Sequence, residues 1–269
     1  MKIKTVGRLL LIWAFALPSW MAAQTASEPD ASPVPKDAAQ PASSAERPVS
    51  WKQLIPNLAS DQKQIWRFPI RAHRDKHWVP AAAVLAVTAG LIAADPHEGA
   101  YFRRASAFDG FNHVFSGNAT GYGMIAAPVS LYAAGLIGKD SKMRGTALLA
   151  GEAVVDSEIL TTVLKDSLRR LRPVAIPPQG NFSDTWFESS GSVLRGNGSM
   201  PSGHTIAAFS IATVFARRYG NHRWVPFVAY GLAGVVGFSR MTLSAHFASD
   251  VFMGAALGYS ISRFAVLRQ

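Results

Sequence analysis

Three short clusters in the second half of the chain combine residue types suited to holding a phosphate-shaped anion and moving protons around it. The first is Lys165, six residues, then Arg172-Pro173. The second is Pro201-Ser202-Gly203-His204. The third is Ser239-Arg240, five residues, His246, three residues, then Asp250. Arginine offers a planar fork of donors and lysine a point charge, so Lys165, Arg172 and Arg240 suit phosphate oxygens. Ser202 and Gly203 stand where a helix begins, and free backbone N–H groups there attract anions. Gly203 lets a ligand approach the backbone closely. His204 belongs to the same helix start, with a side chain suited to proton transfer near neutral pH. Asp250 can fix the tautomer of His246 and turn its free nitrogen outward. Each cluster alone has a plainer reading. Cations at a helix end complement its dipole. Ser202 serves equally as an N-cap. A His–Asp pair can be a structural contact or part of a metal site, although no further ligand set is obvious nearby.

The elements that must position these residues read as helices. Apolar helical patterns cover 79–94 (ending at Asp95-Pro96), 119–138, 145–171, 203–219, 224–238 and 249–267. No alternating strand pattern of useful length occurs, so the expected fold is all-α, a bundle of about six core helices. Lys165 and Arg172 would share one face of a continuous helix that Pro173 ends. His246 and Asp250 would share a face if the last helix reaches back that far. Spanning a membrane takes about 20 apolar residues, and several of these runs are nearer 12 to 16. If the N-terminal segment is exported and all six helices span, Lys165 falls on the opposite side from it. These lengths favour an exported globular bundle docked on a membrane, with an integral bundle as the alternative.

The chain has 269 residues, 49% of them hydrophobic and only 16% charged, and no cysteine. That excludes a wholly disordered chain, disulfide scaffolds, thiolate metal sites and cysteine nucleophiles. The formal net charge of +10 suits phosphate-bearing or anionic lipid partners. The basic residues are scattered and show no nucleic-acid-binding signature. Residues 1–23 read as a signal peptide or an anchor, with Lys2, Lys4 and Arg8 before an apolar stretch. Residues 24–60 read as a flexible tether rich in Ala, Ser and Pro, and residues 61–269 as the helical domain. Between 63 and 78, Lys63, Arg67, Arg71, Arg74 and Lys76 alternate with Trp66, Phe68, Ile70 and Trp78. That composition suits an anionic membrane surface, or aromatics packed on the domain. Phe182, Trp186 and Phe187, in the long loop 174–200, line a lipid-chain path or anchor the loop. Glu152 and Asp156 share a face of an apolar helix, either paired inside the bundle or exposed to water. His73, His77 and His97 read as surface residues, and His113, Gly117, Gly121 and Gly123 carry no assigned role.

Taken together, Lys165…Arg172-Pro173, Pro201-Ser202-Gly203-His204 and Ser239-Arg240…His246…Asp250 resemble the signature of the type 2 phosphatidic acid phosphatase and vanadium haloperoxidase superfamily. The resemblance covers roughly residues 119–267, and no position within the three motifs departs from it. It implies an all-α bundle and a metal-independent phosphatase. His246 would be the nucleophile that forms a phosphohistidine, with Asp250 orienting it. His204 would protonate the leaving oxygen and then assist a water. Lys165, Arg172, Ser202, Gly203 and Arg240 would bind the phosphate oxygens. In the haloperoxidase branch the same cradle holds vanadate, with His246 as its ligand, and the motifs do not separate the branches. A lipid phosphate or pyrophosphate at an exported, membrane-associated site is the expected substrate. A soluble acid phosphatase and a catalytically silent membrane-associated protein are the alternatives.

Overall fold

Eight α-helices and no strand occur among the described residues of the structure, a computed structural model that describes residues 47, 49–74, 78–191 and 194–268. They are α1 (Leu54–Arg74), α2 (Trp78–Arg104), α3 (Asp109–Val114), α4 (Gly117–Ile137), α5 (Ser141–Leu168), α6 (Gly203–Arg218), α7 (Trp224–Thr242) and α8 (Ala248–Ser260). A π-helical turn, Ile261–Val266, continues α8. The expected signal peptide, His77 and most of the expected tether lie outside the described residues. The tether was read too long, because regular structure begins at Trp51 and residues 54–60 already belong to α1. Helix α2 does not stop at Asp95-Pro96. Proline removes one backbone donor and clashes with the preceding turn, but the turns around it are tied to α8, as described below.

Helix α6 lies at the centre, packed against α5, α7 and α8. Its Ile206, Ile211 and Val214 form the core with Leu149, Ala153 and Leu160 of α5 and with Ile261 and Val266. Helix α8 lies unusually close to α6. A Cβ on Gly254 would sit 2.8 Å from the Ser202 carbonyl oxygen, and one on Gly258 would collide with the Ile206 carbonyl. Two glycines four apart therefore give α8 a side-chain-free stripe against the start of α6. Buried hydroxyls tie α6 to both neighbours: Ser157 of α5 and Ser210 share a hydrogen bond of 2.7 Å, and Ser262, just past α8, donates to the Ser210 carbonyl at 3.1 Å.

The long helices run up and down between two ends. At one end the start of α4 meets His204 and Arg240. At the other, Gly135 near the end of α4 abuts Arg144, Lys142 lies over the Tyr219 ring, and Arg218 donates to Thr146. Arg47 belongs to this second end of the bundle, lining a pocket there with Lys142 and Arg218.

The acids of α5 are buried, which decides between their two sequence readings. Glu152 takes an ion pair from Arg47 and a hydrogen bond from Asn57, and Asp156 accepts from Gln62. Asn57 and Gln62 belong to α1, so α1 turns its polar face inward and leaves Ile55, Trp66, Phe68 and Ile70 exposed. That is the reverse of a water-facing amphipathic helix. Helices α2, α4 and α7 are long and apolar enough to cross a membrane. They exceed the run lengths read from sequence, and they present Leu85, Ile125, Leu136, Phe227 and Leu232 outward. Exposed apolar area of this extent suits contact with a membrane or with another protein.

Candidate active site

The three motifs converge at one end of the bundle, where α5 finishes, α6 begins and α7 turns into α8. Lys165 is in the last turn of α5 and is buried. The helix does not continue to Pro173. It ends at Leu168, with Arg169 in the left-handed region at φ 43° and its N–H bonded to the Lys165 carbonyl. Residues 169–172 then run irregularly against the long loop, with Leu171 N–H donating to Thr185 and Ser199 N–H to the Arg170 carbonyl. Lys165 and Arg172 therefore meet because the chain turns, not because they share a helical face. The loop is fixed to the same helix end by Asp166, whose carboxylate accepts from the N–H groups of Leu194 and Gly196.

Ser202 is the fully buried N-cap residue of α6, its side chain accepting from Thr205 Oγ1 at 2.9 Å and its N–H donating to the Asp250 carbonyl. A Cβ on Gly203 would lie 3.5 Å from Lys165 Nζ, so backbone and cation face one space. Arg240, in the last turn of α7, is anchored by Nη2 to the Phe115 carbonyl at 2.7 Å and to Ser239 Oγ at 2.8 Å. Its Nη1 would be 3.5 Å from a Cβ on Gly117.

His204 Nε2 is 3.0 Å from the Gly117 carbonyl oxygen. A carbonyl only accepts, so Nε2 carries the hydrogen. Burial lowers the pKa of His204, and Arg240, Lys165 and Arg172 lower it further against the Gly117 hydrogen bond. His246 lies two residues before α8, so it shares no helical face with Asp250. Asp250 instead turns back. Its Oδ2 accepts from Phe247 N–H at 2.9 Å and from Ser199 Oγ, and lies 3.7 Å from His246 Nδ1. Ser199 Oγ is itself 3.4 Å from His246 Nδ1. Because Ser199 donates to the carboxylate, it can only accept from the imidazole, which puts the hydrogen on Nδ1 and leaves the Nε2 lone pair free. Burial, reinforced by Lys165 and Arg172, pushes His246 down to about 4, so the ring is neutral at physiological pH. Burial also acts to raise Asp250, but the bonds to His246, Arg170 and Ser199 outweigh it and hold the carboxyl below its ordinary value. Lys165 is lowered to about 8 by burial and by Arg172.

Four supporting residues, Arg170, Asp95, Glu98 and Ser199, carry no sequence signal. Arg170 is buried, donates from Nη1 to Asp250 Oδ1 at 2.8 Å and from Nη2 to Asp95 Oδ2 at 2.7 Å, and lies between the Trp186 and Phe247 rings. Asp95 also accepts from the Ser249 N–H, and Glu98 from the Ala248 N–H, so α2 satisfies the free donors at the start of α8. Ser199 is the fourth. Their partners lie far off in sequence, and only the fold brings them together. The loop aromatics anchor rather than line a path: Phe182 is buried beside Ile176 and Phe247, Trp186 stacks on Arg170, and Phe187 points outward. His97 and His113 are exposed, as surface residues. Gly117 has a part after all, since its carbonyl holds His204. Among the described residues no three His, Asp or Glu side chains converge as metal ligands.

A helical bundle with a cation-lined cradle and an oriented, neutral histidine at one end can hold a phosphate-shaped anion. Residues 145–269, which hold all three motifs, match the family model of the PAP2 superfamily. The chain is 46% identical over 61 residues to a lipid A 1-phosphatase of Porphyromonas gingivalis, covering 22% of this chain and 14% of that protein. It is 33% identical over 105 residues to a lipid A 1-phosphatase of Rhizobium etli, covering 39% and 42%. The matched parts thus span less than half of these relatives. A similar solved structure is the first transmembrane PAP2 type phosphatidylglycerolphosphate phosphatase from Bacillus subtilis, at 21% identity and a TM-score of 0.48, covering 68% of this chain and 92% of that one.

Proposed function

We propose that this protein is a membrane-associated phosphatase that removes phosphate from a lipid-linked monoester or pyrophosphate through a phosphohistidine at His246. The observation that carries the reading is the neutral His246, its Nδ1 held through Ser199 and Asp250, in a cradle supplied with Lys165, Arg172 and Arg240. The Nε2 lone pair attacks phosphorus. The bond from phosphorus to the ester oxygen breaks, and that oxygen takes a proton from His204. A water then attacks phosphorus and breaks the P–N bond, giving its proton to His204, and phosphate leaves. Asp250 stabilises the positive charge that grows on the imidazole. The three cations and the N–H groups at the start of α6 stabilise charge on the nonbridging oxygens.

Two features favour a lipid over a soluble ester. The relatives named as lipid A 1-phosphatases are the first. The second is an apolar groove of about 330 Å³ between α4, α6 and α7. It begins at Phe115, whose carbonyl holds Arg240, and at Ala208, one turn beyond His204, and continues past Met124, Ala212 and Val236. A hydrocarbon chain fits such a lining. The site end then faces the periplasm, where the expected export signal would direct it.

The test is phosphate release by the purified chain in EDTA from a chromogenic phosphate ester, phosphatidic acid and a polyprenyl pyrophosphate. Release that persists in EDTA is expected to vanish in His246→Ala together with the acid-labile phosphoenzyme. His204→Ala should still form the phosphoenzyme from a good leaving group but slow its breakdown by about 10²-fold or more. Full turnover by His246→Ala would overturn the reading. Release from the soluble ester alone would reject the lipid preference.

A further inference from the structure

The end of the bundle opposite the site holds a second concentration of positive charge. A pocket of about 300 Å³ is lined by Arg47, Lys142, Arg217, Arg218, Arg263 and Arg268, with no carboxylate among the described residues of its wall. Lys142 is in the first turn of α5, and Arg217 and Arg218 are in the last turn of α6. Along α6 that is about 22 Å from Gly203 at a rise of 1.5 Å per residue. The pocket is therefore separate from the catalytic cradle.

We propose that this pocket binds the phosphate group of an anionic ligand, either the headgroup of an acidic phospholipid or free inorganic phosphate. Not all six charges are available. Arg47 is committed to Asp61 and Glu152, Arg268 pairs with Asp61 at 3.7 Å and donates to Ser60 and Gln64, and Arg218 donates to Thr146. Lys142 lies over the Tyr219 ring at 4.9 Å, and Arg263 packs beside Phe264. Neither contact neutralises a charge. The C-terminal dipole of α6 offers its cations only a partial negative charge, and the N-terminal dipole of α5 opposes Lys142. Among the described residues, Lys142, Arg217 and Arg263 therefore have no carboxylate partner. A dianionic phosphate supplies the missing charge, with the guanidinium forks of Arg217 and Arg263 and the ammonium of Lys142 as donors to its oxygens. The walls add Val49, Leu149, Val266 and Leu267, which suit the first carbons of an acyl chain. Basic pockets beside membrane-crossing helices are the sites where lipid headgroups are held.

The experiment uses the full chain. A cradle-deficient variant, Arg172→Gln with Arg240→Gln, removes phosphate binding at the catalytic end. In phosphatidylcholine nanodiscs, equilibrium binding of radiolabelled orthophosphate reads the free ion. Native mass spectrometry after release from nanodiscs that also contain phosphatidylglycerol reads retained headgroups. The cradle-deficient chain is expected to keep one phosphate-bearing ligand. Adding Lys142→Gln, Arg217→Gln and Arg263→Gln should weaken it at least about tenfold, and salt should weaken it too. Orthophosphate uptake assigns the free ion. Phosphatidylglycerol retention without orthophosphate uptake assigns the headgroup. Binding of neither, or equal binding with the three pocket charges removed, overturns the proposal. An unchanged thermal transition shows that the pocket variant folds. Where it does not fold, Arg263→Gln alone is read, and unaltered ligand retention in that variant overturns the proposal.

Discussion

At the scale of single residues, the site separates its titrating groups in opposite directions. His246 is held neutral down to about pH 4, and Lys165 keeps its charge only up to about pH 8. The free enzyme should therefore show an acid limb of kcat/KM near 4 and, with a substrate whose leaving group needs no proton from His204, an alkaline limb near 8. Bound phosphate favours the charged lysine, so the alkaline limb of kcat should lie higher than that of kcat/KM. Coincident alkaline limbs would remove Lys165 from phosphate binding. The same shifts act on stability. A histidine lowered on folding costs stability below its unfolded pKa, so the protein should lose stability as pH falls from about 6.5 to about 4. Arg170 makes a different prediction. It is the shared partner of Asp95 and Asp250, and Arg170→Met would leave two buried carboxylates facing each other. Removing one member of a buried ion-pair network costs about 3–5 kcal/mol. Chemical denaturation should show that loss.

At the scale of elements, two devices hold the cradle. The first is the contact of α8 with α6. Gly258→Val would drive a side chain into the Ile206 carbonyl, and Gly254→Val into that of Ser202. Each should cost about 1–3 kcal/mol or more, and each should lower kcat more than a distant substitution of equal stability cost, because Asp250 and Ser202 move apart. Loss of stability with kcat unchanged would show that the contact serves packing alone. The second device is the capping of α8 by α2. Asp95 and Glu98 hold the N-terminus from which Asp250 projects, so a helix outside the family-matched segment fixes the orienting carboxylate.

At the scale of the whole molecule, the bundle is polar at its two ends and apolar around its middle. Helices α2, α4 and α7 expose much of their apolar surface, and the cradle and the basic pocket occupy opposite ends. The absence of cysteine makes orientation directly measurable. With the site end outward, Glu188→Cys should react with an impermeant maleimide in intact spheroplasts, and Asn221→Cys only after permeabilisation. The reverse pattern would put the site on the cytoplasmic side.

The sequence by itself determined that the fold is helical and which residue types could face a phosphate. Periodicity marks helices that differ from α4, α6 and α7 by a few residues, and spacing marks the candidate residues of the cradle, because they cluster in short motifs. It misplaced what depends on distant partners. Asp95-Pro96 reads as a helix end, since a proline disfavours helix locally; the bonds from α8 that carry α2 onward come from residues 150 positions away. Lys165 and Arg172 read as one helical face, yet Arg169 breaks the helix and the return of the loop onto Asp166 brings them together. Arg170 and Ser199 have no local pattern at all. Glu152 and Asp156 had two open readings until α1 supplied the donors that allow carboxylates to be buried. Only tertiary structure decides such cases, because the cost of burying a charge or ending a helix is set by what the rest of the chain brings to it.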